Sequence, residues 1–134
     1  MDGIFDLFHG GHVDALEKCR ALAGKNGKVI IGIISDKDAE NYKRIPIIKE
    51  FERKRIILTS QFVDEVILPA PLIVGREFIQ KHNIDLVVHG FADENDFEKQ
   101  KKFFKDPIDM GKFQYIMYSS TNSTTDIINK IKMN

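Results

Sequence analysis

His9 and His12 stand three residues apart with Gly10 and Gly11 between them, at the end of the opening stretch Gly3-Ile4-Phe5-Asp6-Leu7-Phe8-His9-Gly10-Gly11-His12. Adjacent glycines let a backbone come close to a ligand. A helix beginning there adds free N–H groups and a partial positive charge, both suited to phosphate. Two imidazoles at such a place can donate hydrogen bonds to a phosphate undergoing transfer. The alternative is a pair of histidines in a surface turn, against which the glycines and the helix start both argue. A metal centre is disfavoured, because no third ligand at suitable spacing accompanies them.

A second polar cluster closes the chain, where Ser119-Ser120-Thr121-Asn122-Ser123-Thr124-Thr125-Asp126 precedes the amphipathic Ile127, Ile128 and Ile131. Ordinary capping accounts for hydroxyls at a helix start. A second helix N-terminus on the same sheet edge would also suit a polyphosphate. Lys43, in Asn41-Tyr42-Lys43-Arg44, follows a strand at the distance a loop needs to fold back over such a site, although a loop lysine is by default solvated. Glu52-Arg53 lies early in a helix, where a surface pair is ordinary. His89-Gly90 ends a strand, and His82 reads as a surface residue.

These residues need elements to position them. Residues 28–35 are β-branched and apolar on both faces, as in a central parallel strand covered by helices on both sides. Ahead of it Val13, Leu16, Cys19 or Arg20, and Leu22 or Ala23 recur at helical spacing, closing near Gly24. Helix and strand then alternate: helix over 51–60, strand over 65–68, helix over 75–82, strand over 85–89, helix over 97–104, a break at Pro107, strand over 114–118 and helix over 124–132. Such alternation predicts right-handed βαβ crossovers in an α/β, doubly wound, Rossmann-like open parallel sheet. Ligands in that architecture bind beyond the carboxyl ends of the strands. Only Met1 and Asp2 precede Gly3, so the central sheet is expected to be short by most of a strand. Lys99-Gln100-Lys101-Lys102 reads as a solvated helix face.

The chain of 134 residues suits a single domain over 1–134, and its 43% hydrophobic and 30% charged residues are a globular balance. Twenty basic residues offset twenty acidic ones, leaving no bulk field for nucleic acid. Cys19 is the single cysteine, which excludes an internal disulfide and suits a reducing cytoplasm. No apolar run has the length of a membrane span, and the first residues have no signal-peptide pattern.

Taken together, these residues resemble the cytidylyltransferases that join CTP to a phosphorylated alcohol, a branch of the nucleotidyltransferase α/β phosphodiesterase superfamily. The resemblance runs almost end to end: Gly3 to Leu22 with its two histidines, Val29 to Asp36, Lys43, Glu52-Arg53, Phe62-Val63-Asp64-Glu65-Val66, His89-Gly90, and Ser123-Thr124-Thr125-Asp126-Ile127-Ile128. It implies attack by a phosphate oxygen of the phosphoalcohol on the α-phosphorus of CTP, with pyrophosphate leaving. It further implies that His9, His12 and Lys43 are catalytic and that Gly3, Phe5, Gly11, His89, Gly90, Ser123, Thr124 and Thr125 hold the nucleotide. Asp6 and Arg53 would serve the acceptor. Mg²⁺ would accompany CTP, with no protein ligand visible. A homodimer built around the histidine loop is implied, without the lipid-sensing helix of some choline-specific relatives.

The chain departs from the family pattern in two cations, since Gln61 and Tyr118 stand where arginines are usual. Each such contact to a phosphate is typically worth about 1.5–3 kcal/mol. The serine-rich stretch and Phe5-Asp6-Leu7-Phe8-His9 resemble the second repeat of ethanolamine-phosphate cytidylyltransferases, which points to phosphoethanolamine ahead of phosphocholine. A glycerol-3-phosphate acceptor, adenylyl transfer and a non-catalytic binding domain of the same fold are the alternatives.

Overall fold

The computed structural model describes residues 1–118 and 123–133. Five strands, β1 (Asp2–Gly3), β2 (Ile30–Ile34), β3 (Glu65–Ala70), β4 (Val87–Phe91) and β5 (Phe113–Met117), alternate with helices. The helices are α1 (Gly10–Ala23), α2 (Asp36–Tyr42), α3 (Glu50–Leu58), α4 (Arg76–Lys81), α5 (Glu94–Gln100), α6 (Lys105–Asp109) and α7 (Thr124–Met133), with a 3₁₀ turn over Lys101–Phe104. Every strand pair is parallel. The ladder is divided into β1-β2-β3 and β4-β5, with β1 lying beside β4. The short first strand expected from the sequence is thus a two-residue β1, and the sheet parts there. A side-chain pair crosses the division, His89 Nδ1 to Asp2 Oδ1 at 2.6 Å.

The core follows the hydrophobic pattern. Leu16 and Cys19 of α1 and Ile57 of α3 pack with Ile31 and Ile33 of β2 and Val88 of β4. Leu16, Ile31, Ile33 and Ile57 are fully buried, and burial of such a side chain contributes about 1.5–3 kcal/mol. A second cluster, Val74, Ile79, Val87, Phe91 and Phe104, fixes the β4-β5 half.

Three expectations need correction. Residues 36–42 form α2, which the periodicity does not announce because only Ala39 is buried. Its signal is polar: Ser35 Oγ accepts from the Asp38 N–H at 3.2 Å, and Asp36 and Asp38 occupy the first turn. The 97–104 helix is two pieces, α5 capped by Asp93 and the 3₁₀ turn. Pro107 breaks nothing. It sits in the first turn of α6, where its missing N–H had no intrahelical partner to lose.

Arg53 holds these pieces together. This α3 residue is fully buried, and its guanidinium donates from Nη1 to the carbonyls of Ile4 (2.6 Å) and Ile34 (2.9 Å). Its Nε donates to the Ile48 carbonyl at 2.9 Å, and its Nη2 to Asp36 Oδ1 at 2.6 Å. The opening loop, the end of β2, the start of α2 and the segment before α3 therefore meet on one planar fork. Removing it leaves three carbonyls and a carboxylate without their donor. Arg53→Met is expected to lower the unfolding free energy by about 3–5 kcal/mol, read from urea denaturation followed by circular dichroism. A loss under about 1 kcal/mol would show that the fork is not what joins them.

Candidate functional site

A cleft of about 360 Å³ opens at the carboxyl ends of the strands, lined by Gly3, Ile34 and Gly90 at strand ends and by Tyr118 just past β5. His9 and His12 enter it from the start of α1, Lys43 and Arg44 from the end of α2, and Ser123, Thr124 and Thr125 from the start of α7. The opening turn and the closing segment thus share one cavity.

The imidazoles are fixed by the helix they begin. His9 is the N-cap of α1, and its Nδ1 accepts from the Gly11 N–H at 3.1 Å. The His9 N–H in turn donates to His12 Nδ1 at 3.2 Å, and the rings stack with centroids 3.9 Å apart. Because both Nδ1 atoms accept, each neutral ring carries its proton on Nε2, and among the described residues no hydrogen bond engages either Nε2. Burial lowers the pKa of His9. That of His12 is pushed down to about 3, first by burial and then by the nearby His9 and Lys43. At neutral pH the pair is therefore two uncharged donors.

Beneath them the Phe5 ring approaches so closely that a Cβ on Gly3 would lie 2.9 Å from Phe5 Cε2, which explains the glycine. Phe5 is itself buried, 5.4 Å between ring centroids from His12. Gly90 has a similar reason, since a Cβ there would lie 2.5 Å from Tyr118 Cζ. Tyr118 lies against that backbone, where burial pushes its phenol well above the ordinary value, and it presents no cation to the cleft. Gln61 is exposed and stands outside the cleft lining. His89 lines the cleft beside Gly90, held by Asp2.

The far wall is hydroxylic and basic. Thr124 Oγ1 donates to the Asp6 carbonyl at 2.8 Å, docking the start of α7 on the opening loop. Ser123 and Asp126 form a reciprocal cap, with Ser123 N–H to Asp126 Oδ2 at 3.0 Å and Asp126 N–H to Ser123 Oγ at 3.1 Å. Arg44 Nη1 donates to Thr125 Oγ1 at 3.1 Å. Lys43 is exposed at the cleft mouth, yet partial burial of its ammonium and the charge of Arg44 lower its pKa, against the opposing pull of Asp96. Residues 119–122 of the serine-rich stretch lie outside the described residues.

Two residues expected at the acceptor have other partners. Asp6 lines the cleft, but its Oδ1 accepts from the N–H groups of Ile48 (2.8 Å) and Leu7 (3.1 Å) and its Oδ2 from that of Ile47 (2.7 Å). Arg53 is not brought to the cleft, because the fork described above holds it in the interior. Tyr42, Gln100 and Asp96 also line the cleft, although nothing in the sequence marks them for it. Gln100 carried no signal beyond its place in a charged run, and Tyr42 none beyond its neighbour Lys43. Among the described residues no three His, Cys, Asp or Glu side chains converge as a metal site.

The neutral imidazoles have a measurable consequence. The pKa of His12 is lower folded than unfolded, so between about 3 and the unfolded value of 6.5 the unfolded chain binds the extra proton. The associated stability is complete above pH 6.5 and declines as pH falls toward 3, at most by about 1.4 kcal/mol per pH unit. His12→Asn, which keeps an acceptor for the His9 N–H, is expected to flatten stability between those pH values in urea titrations. An unchanged slope would show that His12 protonates freely in the folded state.

Known proteins resemble this chain in sequence and in fold. Among the described residues no helix is long and apolar enough to cross a membrane. The chain is 38% identical to the ethanolamine-phosphate cytidylyltransferase of Arabidopsis thaliana over all of its length and 32% of that protein. It is also 38% identical to the choline-phosphate cytidylyltransferase of Saccharomyces cerevisiae, over 97% of this chain and 30% of that one. The chain thus spans about a third of the length of these curated relatives. The crystal structure of the lipopolysaccharide core biosynthesis protein from Thermoplasma volcanium has the same fold, with a TM-score of 0.64 and 24% identity over 90% of this chain and 94% of that one. The cytidylyltransferase-like family profile matches residues 1–130, and with histidines, lysine and hydroxyls gathered in one cleft, the chain belongs to the cytidylyltransferase-like family.

Proposed function

We propose that this chain transfers the cytidylyl group of CTP to a phosphorylated alcohol, phosphoethanolamine ahead of phosphocholine, releasing pyrophosphate. The observation that carries the reading is the convergence of two neutral Nε2–H donors, Lys43, Arg44 and the α7 hydroxyls on one cleft. In this reaction an oxygen of the acceptor phosphate forms a bond to the α-phosphorus while the bond to the pyrophosphate oxygen breaks. Negative charge moves onto the leaving pyrophosphate, and the acceptor loses one negative charge to the new phosphoanhydride. Such a transfer needs alignment and stabilisation of spread charge more than covalent help.

In this reading His9 and His12 donate to the α-phosphate, Lys43 bridges the phosphates of both substrates, and Ser123, Thr124, Thr125 and Arg44 hold the triphosphate. Gly3, Phe5, His89 and Gly90 line the nucleotide's bed, whereas Gly11, also expected there, stands outside the lining with its N–H given to His9 Nδ1. Mg²⁺ travels with the triphosphate in this proposal, and no step of the protein's own residues passes through it. The reading extends to a homodimer, for which the exposed Ile45, Ile47 and Phe51 offer apolar surface. It extends also to a reducing cytoplasm, consistent with the free, buried Cys19.

A second reading, a binding domain without turnover, is favoured by Tyr118 packed against Gly90 and by Gln61 outside the cleft lining. Incubation with CTP and phosphoethanolamine, phosphocholine or glycerol 3-phosphate, with pyrophosphate release as the readout, separates the two. Turnover is expected, fastest with phosphoethanolamine. His9→Ala is expected to cut the rate by about 10²–10³-fold while costing about 1 kcal/mol of stability as a lost helix cap. Micromolar CTP binding without turnover on any acceptor supports the binding domain instead.

A further inference from the structure

The proposed reaction requires Lys43 to stand at a defined height over the imidazoles, yet the lysine lies at the end of a seven-residue helix with a single buried side chain, Ala39. Its own N–H and that of Arg44 both bond the Ala39 carbonyl, at 2.9 and 3.0 Å, which closes the helix without fixing where the helix end points. Something outside α2 must do that.

Tyr42, the last residue of α2, reaches across the cleft. Its hydroxyl donates to Gln100 Oε1 at 3.1 Å, and its ring meets Phe103 edge-on with centroids 5.8 Å apart. Gln100 is held on its other side, Nε2 donating to Asp96 Oδ1 at 2.6 Å, and Asp96 Oδ2 accepts from the Ala92 N–H at 2.9 Å. Ala92 directly follows β4, two residues past Gly90. A continuous line of hydrogen bonds therefore runs from the end of α2, through α5, to the backbone beyond His89-Gly90. The amide of Gln100 has a donor on its oxygen side and an acceptor on its nitrogen side, so its orientation is set rather than free. Tyr42 stands between solvent and interior, and burial raises the pKa of its phenol, keeping it a donor at physiological pH.

We propose that Tyr42 is a positioning residue: through its hydroxyl bond to Gln100 it latches the end of α2 to α5 and so holds Lys43 at the height at which its ammonium meets the phosphates. The latch acts through Lys43 and touches no reacting atom. It rests on the cytidylyltransferase reading above, and its test has one arm that does not.

Tyr42→Phe keeps the ring against Phe103 and removes only the hydroxyl, while Gln100→Leu removes its partner. In hydrogen exchange both variants are expected to speed exchange at the Lys43 and Arg44 amides by about tenfold, with α1 amides unchanged. Unchanged exchange at those two amides overturns the latch whatever the enzyme does. In turnover assays each variant is expected to lower kcat by about tenfold with little change in the KM for CTP. Neither is expected to matter by more than about twofold in a Lys43→Ala background. Equal losses with and without Lys43 would make the latch a purely structural bond and overturn the positioning role. If the unaltered chain turns over no acceptor, the reaction proposal fails, and the exchange arm alone decides whether the latch orders the lysine segment.

Discussion

The site depends on how a strained opening loop is held. Phe5 and Leu7 have φ of 57° and 47°, in the left-handed region that side-chain-bearing residues rarely occupy, at a cost of order 1–3 kcal/mol each. Such conformations persist only where the surroundings over-determine them. Here Arg53 takes the Ile4 carbonyl from one side, and the Asp6 carboxylate, between the two strained residues, collects the N–H groups of Leu7, Ile47 and Ile48. Thr124 closes the third side on the Asp6 carbonyl. The buried guanidinium is tolerable because Asp36 balances its charge and three carbonyls take three more of its five N–H groups. Without this loop geometry, α1 would not begin where His9 can cap it.

The parts legible in the sequence were those whose signals are local. Paired glycines beside two histidines announce a helix start, and hydroxyls before an amphipathic run announce another; each rests on backbone rules spanning a few residues. The β2 strand was legible because burial on both faces leaves an unbroken apolar run, Ile30–Ile34. Arg53 was not. In Glu50-Phe51-Glu52-Arg53-Lys54-Arg55 it looks like any residue of a solvated helix face, and its acceptors on Ile4 and Ile34 lie 49 and 19 positions away. The roles of Asp6 and Gln100 are likewise set by partners distant along the chain. The α2 helix has no period to read, because it is held by its cap rather than by an apolar stripe.

Tyr118, at a position where the resemblance leads one to expect an arginine, packs against the Gly90 backbone. An arginine there would carry a charge needing solvent or phosphate, whereas the end of the phenol lies so close to Gly90 that any side chain in place of that glycine would have to displace it. The backbone bond from the Tyr118 N–H to the Phe91 carbonyl, 2.9 Å, continues the β4-β5 pairing one step beyond the strands. The positive charge facing the cleft accordingly comes from the other wall, from Lys43 and Arg44.

That arrangement makes the neutrality of the imidazoles a structural requirement. Protonating His12 would convert its Nδ1 from acceptor to donor and break the bond from the His9 N–H, loosening the cap that aims both rings. It would also set a charge beside Lys43, which already lies near Arg44 in a partly desolvated place. Burial suppresses the charge, and the same hydrogen bonds that use Nδ1 leave Nε2–H without a partner among the described residues, on two rings that line the cleft. Two preorganised uncharged donors need little reorganisation when a phosphate changes its charge distribution. The neighbouring cations, by contrast, disfavour one another until an anion arrives. In the proposed reaction a polyanion in the cleft would remove that repulsion and raise the Lys43 pKa, the imidazoles supplying fixed geometry and the cations the attraction.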